Sequence, residues 1–151
     1  MLNFMSTTLE KGILIVVGAV IAFLLIRMFL IILFLLITPE GEIHRKGVEL
    51  GQRGDWEAAI VEFDRVIEMK PHHEKAYTTR AFAKSKLGDH KGAKEDTRIA
   101  LQKNPYYGQA YAVLGLAELQ SGNKKIGCEK LQEAYDLGYL EAKYHIKEYC
   151  K

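Results

Sequence analysis

The fold is decided by residues 54–89, GDWEAAIVEFDRVIEMKPHHEKAYTTRAFAKSKLGD, which begin and end on the same dipeptide. A closely similar dipeptide, Gly122-Asn123, follows at the same spacing of 34 residues, from 54 to 88 and from 88 to 122. Glycine favours positive φ at the end of a helix, and the Asp or Asn after it accepts hydrogen bonds from the first N–H groups of the next helix. Self-similarity at a fixed period predicts a solenoid of helical hairpins, which leaves an extended concave wall for binding.

Small residues and prolines recur on the same period. Two columns of small residues mark where the helices of each hairpin must approach closely: Gly47, Ala81 and Gly115, and Ala59, Ala93 and Gly127. Pro71 and Pro105 close the first two units, because a proline lacks the N–H that would continue a helix. The third unit has Tyr139 at that position.

This pattern resembles the tetratricopeptide repeat. Its signature fits the first unit at Gly47, Leu50, Trp56, Ala59, Phe63 and Pro71. The resemblance implies an all-α solenoid with helix-turn-helix repeats at about 40–73, 74–107 and 108–141 and a capping helix at about 142–151. The third unit, with Gly138-Tyr139 at its turn, resembles the related Sel1-like repeat. Members of this family bind other proteins, so the resemblance implies an adaptor and no enzyme.

The resemblance also assigns a groove, because in this family the first helix of each repeat lines the concave face. The positions assigned to it are His44, Val48, Gln52, Lys75, Thr78, Phe82, Ser85, Lys86, Gln109, Ala112, Leu116 and Gln120. If Phe82 and Leu116 are exposed, they would form the apolar floor of the groove, and Lys75 and Lys86 beside it could pair with acidic residues of a bound peptide. The alternative is that Phe82 packs inside the domain. Some members grip the carboxy terminus of chaperones with Lys, Asn and Arg. Those positions are His44, Val48, Gln109 and Val113 here, which gives a chaperone cofactor role little support.

Residues 12–37 form a separate apolar segment, in which 20 of 26 residues are Leu, Ile, Val or Phe and only Arg27 is charged. On an insertion scale those side chains contribute about −6 to −12 kcal/mol, against about +3 kcal/mol for a central Arg. The sequence therefore predicts an uncleaved single-pass transmembrane helix at 12–37, between a short tail at 1–11 and the repeat domain at 38–151. Arg27 either meets a specific partner or snorkels, and Gly18 with Ala22 offers a small-residue contact for a homodimer.

The two cysteines bear on the side of the membrane, which the Lys and Arg counts do not decide. Cys128 and Cys150 lie equally far from the Gly138-Tyr139 turn, so an antiparallel helix pair would bring them to the same height. A disulfide there would pin the capping helix and favour an extracytoplasmic, oxidising location, whereas free buried cysteines are ordinary core residues. Both alternatives stay open.

Composition and motifs exclude several function classes. From Thr38 onward, 19 Lys and Arg (21 − 2) accompany 18 Asp and Glu (19 − 1), so no basic surface for nucleic acid is expected. The five histidines form no i, i+4 pair with another His or with Cys, and the chain has no phosphate-binding loop or nucleophile elbow. We therefore expect no catalytic residue, no metal and no cofactor.

The sequence as a whole predicts a membrane-anchored adaptor or scaffold in a bacterial envelope, with a membrane-associated protein or peptide as its partner. One alternative is a structural subunit of a membrane complex, in which the transmembrane helix makes the specific contact. Another is an extracytoplasmic Sel1-like binder of cell wall or glycan. That hypothesis needs Tyr106, Tyr107 and Tyr111 exposed on one face.

Overall fold

The structure is a computed structural model that describes residues 16–31 and 39–151. The chain divides into two units, Met1–Thr38 and Pro39–Lys151.

In the first unit, residues 16–31 are helical and their side chains are exposed. The guanidinium carbon of Arg27 lies 6.0 Å from the ring centroid of Phe23. The rest of the predicted span, 12–15 and 32–37, and the tail at 1–11 lie outside the described residues.

The prediction of a single-pass membrane protein is wrong for the described chain. Across 16–31 and 39–151, no helix has both the length and the apolar character that crossing a bilayer requires. The predicted membrane localisation, with its lean to an extracytoplasmic repeat domain, is corrected accordingly.

The second unit is all-α over its described residues and contains seven helices. They are α1 (Pro39–Gln52), α2 (Trp56–Met69), α3 (Glu74–Lys86), α4 (His90–Lys103), α5 (Gly108–Gln120), α6 (Lys124–Asp136) and α7 (Ala142–Tyr149). Consecutive helices pack against each other, and α3 also contacts both α1 and α5. The predicted solenoid of three hairpins and a final helix is confirmed.

The three hairpins turn in the same way. Their turn glycines share a φ of +84°, a value that side chains disfavour: Gly54, Gly88 and Gly122. Asp55 and Asp89 each accept a hydrogen bond from the backbone N–H three residues later, at 3.2 and 2.8 Å. Asn123 makes no such cap, and its side-chain amide donates to Glu118 at 2.7 Å. The predicted capping therefore holds at the two aspartates only.

Small residues allow the helices of each hairpin to pack closely, as the period predicts. A Cβ on Gly127 would lie 2.8 Å from the carbonyl oxygen of Gly115, and a Cβ on Gly115 would lie 2.9 Å from the carbonyl oxygen of Gly127. In the second hairpin Ala81 and Ala93 are fully buried in one cluster. The third hairpin thus packs main chain directly on main chain.

Two ion pairs lie at equivalent positions of the first two hairpins, 34 residues apart. They were not predicted from the sequence. Lys46 lies 2.6 Å from Glu62, and Arg80, 34 positions further along, donates two hydrogen bonds to Asp96 at 2.6 and 2.8 Å. Burial disfavours the charged form of Arg80, but hydrogen bonds to Asp96 and Asp64 outweigh burial and raise the pKa of the guanidinium. These pairs link the first helix of a hairpin to its second.

Candidate functional site: a groove beside α1 and α3

A pocket of about 560 Å³ opens beside α1 and α3. Residues of α1 and α3 form most of its wall, Trp56 and Phe63 of α2 add aromatic rings, and Gln109 of α5 also lines it. We call it the groove pocket. It lies where the first helices of successive hairpins adjoin, which is the face that the sequence assigned to binding.

Aromatic rings form the apolar part of the groove pocket. The rings of Trp56 and Phe82 meet edge to face with centroids 5.7 Å apart. Glycines on α1 admit these rings: a Cβ on Gly51 would lie 2.9 Å from Trp56, and one on Gly47 would lie 2.6 Å from Phe63. Phe82 is 36% exposed, so its ring faces the pocket rather than the core.

His44 adds a polar group that carries no charge at neutral pH. It is 7% exposed, and its Nε2 lies 3.2 Å from the hydroxyl of Thr79. Burial, together with the charges of Lys75 and His73, lowers the pKa of His44 to about 4. The side chain therefore acts as a neutral hydrogen-bonding group inside the groove pocket.

The charges that line the groove pocket are positive. Arg45 and Lys75 line it, and no Asp or Glu among the described residues does. Arg45 is paired with Glu49 at 2.6 Å, whereas within 39–151 Lys75 forms no ion pair. Lys86 lies beside the pocket, with its ammonium 5.1 Å from the ring centroid of Phe82. A negatively charged ligand would meet a favourable field there.

The structure brings half of the predicted groove residues to this pocket. Those that line it are His44, Val48, Gln52, Lys75, Phe82 and Gln109. Thr78 and Ala112 are buried in the domain, at 0% and 3% exposure, and do not line it. Ser85 donates a hydrogen bond to Gln120 at 2.5 Å, and Leu116 and Gln120 line a separate pocket near the end of α5.

Sequence reasoning missed the contributions of Trp56, Phe63 and Thr79 to the groove pocket. The repeat signature assigns Trp56 and Phe63 to the core side of the second helix. That assignment does not indicate that the edges of their rings reach the pocket. The glycines Gly47 and Gly51, one turn apart on α1, were the available signal. They leave no side chain between the rings and the pocket.

The positions that grip chaperone carboxylates in some family members hold no cation in this structure. His44 is neutral at neutral pH, Val113 is 5% exposed within the core, and Val48 and Gln109 are uncharged. The cations of the groove, Arg45 and Lys75, occupy other positions.

The structure places Cys128 and Cys150 together. They form a disulfide with their sulfur atoms 2.05 Å apart and their Cα atoms 5.6 Å apart. The bond joins α6 to the residue that follows α7. No group of three or more His, Cys, Asp and Glu suited to a metal ion occurs within the described residues.

The aromatic face required by a glycan binder does not form. Tyr106 is 80% exposed, but Tyr107 and Tyr111 pack against separate buried clusters. The three rings therefore do not share one open surface, and the glycan-binding alternative loses its basis.

No family model matches this chain. Among curated proteins it is 32% identical over 83 residues to the small glutamine-rich tetratricopeptide repeat-containing protein 2 of Mycosarcoma maydis, which covers 55% of this chain and 24% of that protein. The chain spans from 24% to 60% of the length of curated relatives such as this one.

Solved structures show the same fold. The first TPR of Spaghetti (RPAP3), bound to the HSP90 peptide SRMEEVD, superposes with a TM-score of 0.68 at 20% identity, over 74% of this chain and 92% of that one. The TPR2B domain of yeast Sti1, in a complex with pHsp70, gives a TM-score of 0.62 at 26% identity, over 65% and 78%. The second unit thus has the tetratricopeptide-repeat fold, as predicted.

These comparisons also correct part of the prediction. They support the tetratricopeptide solenoid fold, but they support neither the Sel1-like assignment of the third unit nor a membrane anchor. The placement in a bacterial envelope loses its basis as well, since it depended on the transmembrane helix.

Proposed function

We propose that this tetratricopeptide-repeat unit is an adaptor that binds a segment of a partner protein in the groove pocket and carries out no chemistry. One observation carries the proposal: exposed Phe82 and partly buried Trp56 line a pocket of about 560 Å³ together with Lys75, a cation that has no ion-pair partner within 39–151. Apolar surface gives affinity, and a few polar groups fix orientation.

Two of the similar structures support a ligand of peptide size. One holds an HSP90 peptide and the other is a complex with pHsp70. Helical repeat arrays present a continuous face of this kind to extended or helical segments. We infer a segment of protein chain, rather than a small molecule, as the ligand of the groove pocket.

Site-specific crosslinking tests the proposal. The photoreactive residue p-benzoylphenylalanine replaces Gln52, which is exposed and lines the groove pocket, and in a matched control it replaces Val61, which is 57% exposed on α2 and does not line it. We expect discrete crosslinked partners from position 52 and none of these from position 61. Introducing Phe82→Ala should abolish them.

Circular dichroism confirms that each variant keeps its helices. Equal yields from positions 52 and 61, or crosslinks that survive Phe82→Ala, would show that the groove pocket is not the binding site.

A further inference from the structure

We propose that the groove pocket selects an acidic segment that carries one bulky apolar side chain, and that it binds this segment within a chain, with no need for a free carboxy terminus. This inference rests on the proposed function and adds the chemical class of the ligand. Three features of the pocket carry it: the aromatic subsite, the sign of its charges and its neutral hydrogen-bonding groups.

The aromatic subsite is shaped for one large apolar side chain. The rings of Trp56 and Phe82 are steeply inclined, with an interplanar angle of 78°, so the face of one and the edge of the other form a corner. Val48 lines the same pocket, and Gly51 adds main chain without a side chain in front of Trp56. An aromatic or long aliphatic side chain placed in this corner would gain edge-to-face and dispersion contacts.

The charges of the pocket favour an acidic segment. Lys75 is without an ion-pair partner in the described part of the chain, and Lys86 stands at the edge beside Phe82. No carboxylate from residues 39–151 lines the pocket. Acidic residues on either side of the apolar side chain would pair with these ammonium groups, whereas a basic segment would meet like charge on entry.

The remaining polar groups are neutral. They can form hydrogen bonds with the main chain of a ligand segment that continues in both directions. Gln109 accepts a hydrogen bond from the Tyr107 hydroxyl at 2.7 Å, which leaves its amide N–H₂ group to donate to a ligand carbonyl. His44 and Thr79 are hydrogen-bonded to each other. A terminal carboxylate is held best by converging cations, and none converges at these positions.

Binding of defined peptides tests the inference. Trp56 is the only tryptophan of the chain, so its fluorescence reports on the groove pocket directly. The reference probe is acetyl-Gly-Glu-Asp-Phe-Glu-Asp-Gly-amide. Three comparison peptides each differ from the reference in one respect. In one the Phe is replaced by Ala, in another the four acidic residues are replaced by Lys, and in the third the terminal amide is replaced by a free carboxylate.

We expect the reference peptide to bind in the micromolar to millimolar range typical of a single short segment. Replacement of its Phe should weaken binding by about 10-fold or more, as expected for loss of a buried aromatic ring. The Lys peptide should not bind detectably. The free-acid peptide should bind within about 3-fold of the amide, since no clamp for a terminal carboxylate is present.

Lys75→Glu should abolish binding of the reference peptide, while Lys91→Glu, an exposed charge reversal on α4 that lies outside the pocket, should leave it unchanged. Failure of the reference peptide to bind, equal binding of the Ala or Lys comparison peptide, or a requirement for the free carboxylate would each overturn the inference. The crosslinks from position 52 are scored separately, so an adaptor with another ligand class would still be recognised.

Discussion

At the scale of single residues, Asp96 is a buried charged side chain that two cations, Arg80 and Lys84, contact directly. It is 2% exposed, accepts two hydrogen bonds from Arg80 and pairs with Lys84 at 2.9 Å. A buried ion pair adds little net stability because both charges lose water, but removal of one partner leaves the other uncompensated. Substitution of Asp96 therefore lowers the free energy of unfolding by more than the ion pair contributes to net stability.

We predict that Asp96→Asn lowers the free energy of unfolding by about 3 kcal/mol, at the low end of the range for broken buried pairs because Asp64 also holds Arg80. Urea denaturation at neutral pH measures the change. Glu49→Gln is the matched control, because it breaks the exposed pair with Arg45 and should change stability by about 0.5 kcal/mol or less. Similar losses in both variants would contradict this account.

His44 should make stability depend on pH in the acid range. Its pKa is about 4 in the folded protein, below the ordinary value of 6.5, so the unfolded chain binds the proton first as pH falls. The contribution of neutral His44 is fully present above pH 6.5 and is lost progressively as pH falls towards 4.

Replacement by glutamine removes this titration, and comparison of the two proteins isolates it. The free energy of unfolding of the wild type should fall by on the order of 2 kcal/mol more than that of His44→Gln between pH 6.5 and 4.5. Urea unfolding at a series of pH values provides the measurement. Parallel curves would mean that His44 titrates normally in the folded state.

At the scale of helices, the sequence predicted the hairpins because their signals are local. The glycine turns, the capping aspartates and the small-residue columns each depend on residues within one unit, and the 34-residue period repeats them. The groove pocket was predicted only in part. A frame position identifies a side of a helix, but whether Thr78 or Ala112 reaches the groove depends on how α1, α3 and α5 pack, which no single unit determines.

The ion pairs could have been predicted from the sequence, because opposite charges at 46 and 62 recur 34 residues later at 80 and 96. The membrane helix was predicted from the composition and length of the apolar run 12–37, of which the structure describes only 16–31.

The contact between α5 and α6 yields a prediction for Gly127→Ala. Alanine is usually the better helix former, by about 1 kcal/mol, but the added methyl would lie 2.8 Å from the Gly115 carbonyl oxygen and 2.6 Å from Leu119. Because a backbone atom cannot move aside, we expect a net loss of about 1 to 3 kcal/mol in the free energy of unfolding.

Thermal and urea denaturation would measure the change in Gly127→Ala. Lys125→Ala, an exposed substitution in the same helix, serves as the control and should be nearly neutral. A stabilised Gly127→Ala would show that α5 and α6 can separate without cost.

At the scale of the whole molecule, the stability of a solenoid is distributed, because each unit contacts only its neighbours. The last described helix, α7, packs on α6. A helix with few packing contacts opens locally more readily than one in the core. The disulfide between Cys128 and Cys150 ties this end to the array.

We predict that the double variant Cys128→Ser and Cys150→Ser loosens α7 while the first two hairpins stay protected. Closing a loop across a sequence separation of 22 residues stabilises by about 3 kcal/mol in the chain-entropy description. Hydrogen exchange should therefore accelerate by about 100-fold at the amides of α7 and little in α1 to α4.

Oxidised wild-type protein is the reference for this comparison, and wild type treated with dithiothreitol should behave as the double variant does. Uniform acceleration across all seven helices would instead indicate that the domain unfolds as one cooperative unit.

The shared φ of +84° at Gly54, Gly88 and Gly122 has a consequence for how such a chain can change length. Because each hairpin leaves its turn in the same direction, an in-frame copy or deletion of one unit preserves the stacking geometry on both sides of the junction. Unequal recombination between the coding segments of two units would then produce a longer or shorter array that still folds, with its binding face extended or trimmed in steps of one hairpin.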